Sequence, residues 1–276
     1  MSADAAHGTR RDEVVPLESV EPIGHTSKPD HGLVSLVAPG LFAADQYEAL
    51  RHFVEREAES SGHKVLAITS PTPGDGKTMT SINLAGALAR GAGAQVLLVD
   101  GDLRRPAVFS QLGLDDSSCP NGLTQIALDG SLALREVVRY CPEHRLFLLS
   151  TGEPASTPYD VLGAPAMGRF FEEARRHFHF VIVDTPPAVG FPDFRLLEKW
   201  ADGSLLVVSE GTTPRKMLEL ALEIVDPKKA RGIVLNRADV KAVSRYYDSY
   251  YQQRSSRGTP KTDASRDRQH LTSQAE

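Results

Sequence analysis

Between about residue 60 and residue 240, short apolar runs alternate with longer stretches in which apolar residues recur every three or four positions. The runs are 65–68, 96–99, 146–149, 180–183, 205–208 and 233–235. Each is continuously apolar, which predicts strands covered on both faces. Between them, 78–90 carries Ile82, Leu84, Ala85 and Leu88 on one stripe, and 215–225 carries Met217, Leu218, Leu220, Ala221 and Ile224. Both stretches predict amphipathic helices. Strand and helix in this rhythm predict an α/β fold: a mostly parallel sheet flanked by helices on both faces, with its chemistry at the carboxyl ends of the strands. The first 32 residues mix Gly8, Pro16, Pro22, Gly24, Pro29 and Gly32 with scattered charges, which predicts a flexible leader. From 252 to 276 only Ala264, Leu271 and Ala275 are apolar, too few to offset the entropy of ordering the segment. The expected organisation is a leader over 1–32, one domain over 33–245, and a polar tail over 246–276.

Composition narrows the function. With 31 Lys and Arg against 36 Asp and Glu, the net charge is −5, which lacks the positive field that nucleic acid requires. A hydrophobic share of 41% with 24% charged residues suits an ordinary globular core. Cys119 and Cys141 show no Cys-x-x-Cys spacing, so neither a disulfide framework nor a zinc knuckle is expected, and a reducing cytosol fits. No run reaches the roughly 18 apolar residues of a membrane span, and charges occupy the N-terminus. The expectation is a chain neither exported nor anchored by its own sequence.

The chemistry is sought just after each strand. After the first comes Ser70-Pro71-Thr72-Pro73-Gly74-Asp75-Gly76-Lys77-Thr78 and then the helix that begins at Thr78 and Met79. Gly74, Asp75 and Gly76 supply backbone N–H groups for phosphate oxygens, Lys77 reaches the outer phosphates, and the Thr78 hydroxyl can hold Mg²⁺. Pro71 stands where the strict pattern has glycine. The second strand runs into Asp100-Gly101-Asp102-Leu103-Arg104-Arg105-Pro106. Its carboxylates can serve a metal and a proton acceptor, with Arg104 neutralising phosphate charge, although Asp100 could instead cap the next helix. Asp184, in Asp184-Thr185-Pro186-Pro187, stands where a Walker B aspartate supports the metal's water shell. Asp193 either orients the same shell or starts a helix. The last strand runs into Asn236-Arg237-Ala238-Asp239, with Asn236 as a purine contact. The absence of Asp-x-x-Gly after the Walker B strand favours adenine over guanine. Finally Tyr246, Tyr247, Tyr250 and Tyr251 place four of seven tyrosines within six positions. On a helix they would share a face, so an aromatic docking stripe is one reading and a phosphoacceptor cluster the other.

These motifs together resemble the bacterial tyrosine kinases of exopolysaccharide and capsule synthesis, a branch of the P-loop ATPases related to the partition and division-site ATPases. The resemblance spans roughly 33–251. It implies a P-loop NTPase fold and a cytoplasmic kinase, peripherally recruited to the inner face of the membrane, that uses ATP and Mg²⁺ to phosphorylate Tyr246, Tyr247, Tyr250 and Tyr251 of neighbouring copies. Thr78 and Asp102 would ligate the metal with Asp184 behind them, and Asp100 would accept the tyrosine proton. It also implies a separate transmembrane polysaccharide co-polymerase as activator, a counteracting phosphatase, and self-association. Ring assembly stays open, because Glu48 occupies an arginine position of the family's acidic-x-x-Arg-x-x-Arg helix. The alternative is an ATP-dependent switch or scaffold of a polysaccharide complex without kinase activity. A partition ATPase would want a lysine at Thr72.

Overall fold

In a computed structural model the described residues are 20–91 and 93–238. The elements run α1 (Val34–Val37), α2 (Phe42–Ser61), β1 (Val65–Thr69), α3 (Lys77–Ala89), β2 (Val96–Asp100) and α4 (Val108–Leu112). They continue with α5 (Leu123–Leu128), α6 (Leu134–Val137), β3 (Arg139–Cys141), β4 (Leu146–Leu149), α7 (Pro158–Gly163) and α8 (Pro165–His177). The last are β5 (Phe180–Asp184), α9 (Asp193–Glu198), β6 (Gly203–Ser209), α10 (Arg215–Ile224) and β7 (Ala230–Asn236). The described residues form one seven-stranded sheet in the order β3-β4-β2-β5-β1-β6-β7. Every pairing is parallel except β3 with β4.

Successive strand residues feed opposite faces of the sheet, and each face is covered by helices. Val65, Ala67, Leu97, Val99, Val181 and Val183 join one core. Leu66, Ile68, Val96, Leu98 and Ile182 join the other, against Ile82, Leu84 and Leu88 of α3. Two buried faces are what a continuously apolar parallel strand requires. All six apolar runs are strands, as the pattern predicts.

Three features depart from the sequence reading. The edge strand β3 escapes it, because Arg139-Tyr140-Cys141 is short and contains no apolar run. β7 is not covered on both faces: it is the other edge strand, and Ile233 and Leu235 are each 55% exposed. Residues 20–32, assigned to the flexible leader, form a strap along the β3 edge. Ile23 N donates to Tyr140 O at 2.8 Å and Tyr140 N to Glu21 O at 3.0 Å, while Val20 and Ile23 are buried. An extended strap inserts single side chains and needs no periodicity, so its Gly and Pro content looked like a linker. It also leans on α4, with Thr26 N and Ser27 N both donating to Gly113 O. Gly113 permits this: its φ is 72°, and a Cβ there would stand 2.4 Å from Ser27 O.

Candidate active site

The phosphate loop, residues 70–76, leaves the carboxyl end of β1 and delivers Lys77 and Thr78 to the first turn of α3. That turn carries no acidic residue, so the positive end of the helix dipole is left for an anion. Gly74 and Gly76 sit at φ 88° and 97°, in the left-handed region that a tight loop demands of glycine. The buried Asp75 carboxylate ties the loop down: Oδ2 accepts from Thr72 N (2.8 Å) and Thr72 Oγ1 (2.9 Å), and Oδ1 accepts from Thr213 Oγ1 (2.7 Å). Asn236 Nδ2 donates to the Asp75 carbonyl at 2.9 Å, and a Cβ on Gly76 would stand 2.0 Å from that nitrogen.

Parallel register brings the carboxylates together. Asp100 and Asp184 are partners at the ends of the adjacent strands β2 and β5. Thr78 Oγ1 donates to Asp184 Oδ2 at 2.7 Å, and Ser81 Oγ donates to Asp184 Oδ1 at 3.0 Å. The Lys77 ammonium lies 3.0 Å from Asp102 Oδ2 and 3.6 Å from Asp184 Oδ2. Burial alone would lower the Lys77 pKa, but the negative charges of Asp184 and Asp102 outweigh it and hold the value above the ordinary lysine range. Asp184 is driven the other way from an ordinary carboxyl, upward, chiefly by burial, with Lys77, Thr78 and Ser81 opposing. Asp100 Oδ2 accepts from Ala107 N and Val108 N, each at 3.0 Å, and Oδ1 accepts a longer bond of 3.3 Å from Asp102 N. Its side chain therefore does cap α4, the alternative to a free carboxylate. Burial first and the charge of Asp184 second raise its pKa to about 7. Ser81 was missed from the sequence, although its spacing of four from Lys77 on a helix placed it on the same face.

The model of the CobQ/CobB/MinD/ParA nucleotide binding domain matches residues 66–262. The chain belongs to this family. Among its relatives, the chain is 31% identical over 227 residues to tyrosine-protein kinase YwqD of Bacillus subtilis (strain 168), covering 82% of this chain and 93% of YwqD. It is likewise 31% identical over 206 residues to tyrosine-protein kinase CpsD of Streptococcus pneumoniae serotype 4 (strain ATCC BAA-334 / TIGR4), covering 74% of this chain and 88% of CpsD. The kinase domain of the Escherichia coli tyrosine kinase ETK superposes with a TM-score of 0.68 at 26% identity, over 79% of this chain and 85% of that one. Within the CobQ/CobB/MinD/ParA family, then, the chain is a member of the bacterial tyrosine-kinase branch.

The other residues expected in this family's site are placed as follows. Arg104 does not stand free for phosphate: Nε donates to Asp193 Oδ2 at 2.6 Å, and its guanidinium carbon lies 4.4 Å from the Phe191 ring centroid. Asp193, fully buried at the first position of α9, gives its carboxylate to that pairing. Where the sequence sets Asn236 against a purine, the structure has its amide on backbone, with Nδ2 on the phosphate loop and Oδ1 accepting from Arg237 N at 2.9 Å. The Met79 side chain is turned toward the strap, 3.0 Å from where a Gly32 Cβ would be, so only its backbone is left for a nucleotide. Glu48 pairs within the chain, with Arg51 at 2.8 Å and with Arg90. Tyr246, Tyr247, Tyr250 and Tyr251 lie outside the described residues. No helix among the described residues is long and apolar enough to cross a membrane.

Proposed function

We propose that this chain is an ATP-dependent protein-tyrosine autokinase of exopolysaccharide or capsule synthesis, phosphorylating Tyr246, Tyr247, Tyr250 and Tyr251 of neighbouring copies. The observation that carries the reading is the convergence of Lys77, Thr78, Asp102 and Asp184 at the carboxyl edge of the sheet. Matches along nearly the whole of two relatives named tyrosine-protein kinases support the reaction. On this reading the kinase works in the cytoplasm at the inner membrane face, with a separate transmembrane polysaccharide co-polymerase as activator.

The donor set suits Mg²⁺. Thr78, Asp102 and Asp184 offer hard oxygen ligands, and once Lys77 turns to the phosphates the carboxylates of Asp102 and Asp184 are left for one divalent cation. When bound, the ion supplies charge stabilisation to the outer phosphate oxygens. The chain does the rest. Loop N–H groups and the α3 N-terminus hold the phosphates, and Lys77 leaves the carboxylates to bind the transferring phosphoryl group. As the tyrosine oxygen bonds to the γ-phosphorus and the bond to the β-bridging oxygen breaks, Asp100 takes the phenolic proton. A carboxyl held near pH 7 with one oxygen anchored by two backbone amides is suited to that task. The phosphorylated cluster gains about −1.5 to −2 charges per tyrosine and repels any acidic pocket holding it, so transfer disperses the assembly until a phosphatase resets it.

The test replaces all four tyrosines with Phe and measures phosphotyrosine with Mg·ATP and the membrane activator present. Loss of phosphotyrosine with ATP binding intact is expected. Wild-type levels would move the acceptor elsewhere, first to the 54% exposed Tyr159. No phosphotyrosine in the wild type under the same conditions would favour a switch without kinase activity.

A further inference from the structure

At the outer edge of the sheet, with β4, β2 and β5 between it and the phosphate-loop strand, the strap and the turn from β3 to β4 bring His25, Cys141 and His144 together. Their potential ligand atoms lie within 4.8 Å of one another. The imidazoles meet edge to face, with centroids 4.9 Å apart.

Two of the nitrogens are buried without a hydrogen-bond partner: His25 Nε2 and His144 Nε2. For His25 the tautomer follows from its other nitrogen. Nδ1 lies 2.7 Å from the Leu112 carbonyl, which can only accept, so Nδ1 carries a proton and Nε2 is the nitrogen left to bind a cation. A histidine whose far nitrogen is held by a backbone carbonyl is the usual outer support of a metal ligand. Nε2 also faces the Glu143 carboxylate at 2.9 Å, yet no hydrogen bond joins them. A cation between nitrogen and carboxylate satisfies both, whether it is a proton that makes an imidazolium–carboxylate pair or a metal ion that both ligate. Burial, helped by the nearby Glu143 charge, holds the Cys141 thiol above its ordinary range, against backbone N–H bonds from His144 and Glu143, so the sulfur rests as a thiol until an ion takes its proton's place.

We propose that His25, Cys141 and His144, with Glu143 as the fourth ligand, bind a structural Zn²⁺ ion. The set is two imidazole nitrogens, one thiolate and one carboxylate, a tetrahedral zinc complement whose two negative charges balance the ion. Ligand atoms around tetrahedral zinc stand roughly 3.3–3.8 Å apart, given bonds of about 2.0–2.3 Å. For His25, Cys141 and His144, side-chain rotation of about 1 Å brings the ligand atoms to that spacing; Glu143, whose Oε2 stands 2.9 Å from His25 Nε2, reaches the ion by a rotation of its own. Binding displaces the thiol proton to solvent. Glu143 and His144 also line an open cavity with Leu36 and Arg90, which gives the ion a way in. The sequence disfavours a zinc site on cysteine spacing alone. What it cannot show is that the strap returns His25 to the Cys141-Pro142-Glu143-His144 turn. The ion would fasten the strap, whose Gly32 carbonyl accepts from Asn83 of α3, to the sheet edge.

The test uses the full chain without an affinity tag, loaded with Co²⁺ as a spectroscopic substitute. One equivalent should give a thiolate-to-cobalt charge-transfer band with d–d absorption of tetrahedral intensity, displaced by Zn²⁺. The band should vanish in Cys141→Ser and survive in Cys119→Ser. In His144→Gln, Zn²⁺ affinity should fall at least ~10-fold, and the rise in Tm that Zn²⁺ brings to the wild type should be lost. Asp102 and Asp184 offer only oxygen, so metal taken up at the phosphate site gives no thiolate band. Absence of the band in the wild type, or its persistence in Cys141→Ser, would overturn the proposal. Should Cys141→Ser fail to fold, the Zn²⁺ response of His144→Gln decides: a Tm rise equal to the wild type's would overturn it.

Discussion

Replacing Lys77 by Met removes one charge while keeping an unbranched stem of similar length. The ammonium stands 3.0 and 3.6 Å from two carboxylate oxygens, on a side chain only 11% exposed. At an effective dielectric constant of about 20, contacts at such separations are each worth roughly 5 kcal/mol before desolvation is counted. Desolvating the ammonium offsets much of this, and breaking a buried pair from one side typically costs a net ~3–5 kcal/mol. The lower figure applies, because Asp100 already has a pKa of about 7 and can take up a proton when the cation is gone. A loss of ~3 kcal/mol in a domain of this size lowers Tm by about 6–12 °C. The pH dependence has a definite sign. Asp100 is raised above its unfolded value of 3.8, so its contribution to stability is fully present below about pH 4 and is lost as pH rises through about 7. Lys77 opposes that rise, so the deficit of Lys77→Met should be smaller near pH 5 than near pH 8. Phosphoryl transfer should fall by about 10³, because the charge that follows the transferring group is absent. The assay is a pair of measurements on one preparation: melting at both pH values, and single-turnover transfer from labelled ATP well below the variant's Tm. Transfer within about tenfold of the wild type would remove this loop from the chemistry. A Tm deficit that grows toward low pH would refute the electrostatic account.

Asp100→Asn retains an oxygen for Ala107 N and Val108 N, so the cap on α4 should hold while transfer falls about 10²–10⁴ and Mg·ATP affinity changes little. Asp102→Asn should weaken both, and an equal loss of nucleotide affinity in the two variants, measured by calorimetry, would contradict the division of roles. Asn236→Ala removes the donor to the Asp75 carbonyl, a loss of about 1 kcal/mol, and should weaken ATP and inorganic triphosphate by the same factor. A loss confined to ATP would restore the purine contact.

The periodicity of the chain determined the sheet, because continuous apolar runs such as 96–99 and 180–183 can be satisfied only by burial on both faces. It determined the phosphate loop as well, since Gly74 and Gly76 next to Lys77 and Thr78 encode a local conformation and a helix start within nine residues. It did not determine which side chains meet. The pairing of Arg104 with Asp193, the turn of Asn236 onto the loop, and the support of Asp184 by Ser81 each depend on strand order and register. The strap shows the limit most clearly. Residues 20–32 carry no repeating pattern, and they are held by a few backbone bonds to Tyr140, Gln111 and Gly113 together with the burial of Val20 and Ile23. Those partners lie roughly 80–120 positions away in sequence, and only the folded sheet edge brings them, and with them His25, Cys141 and His144, into contact.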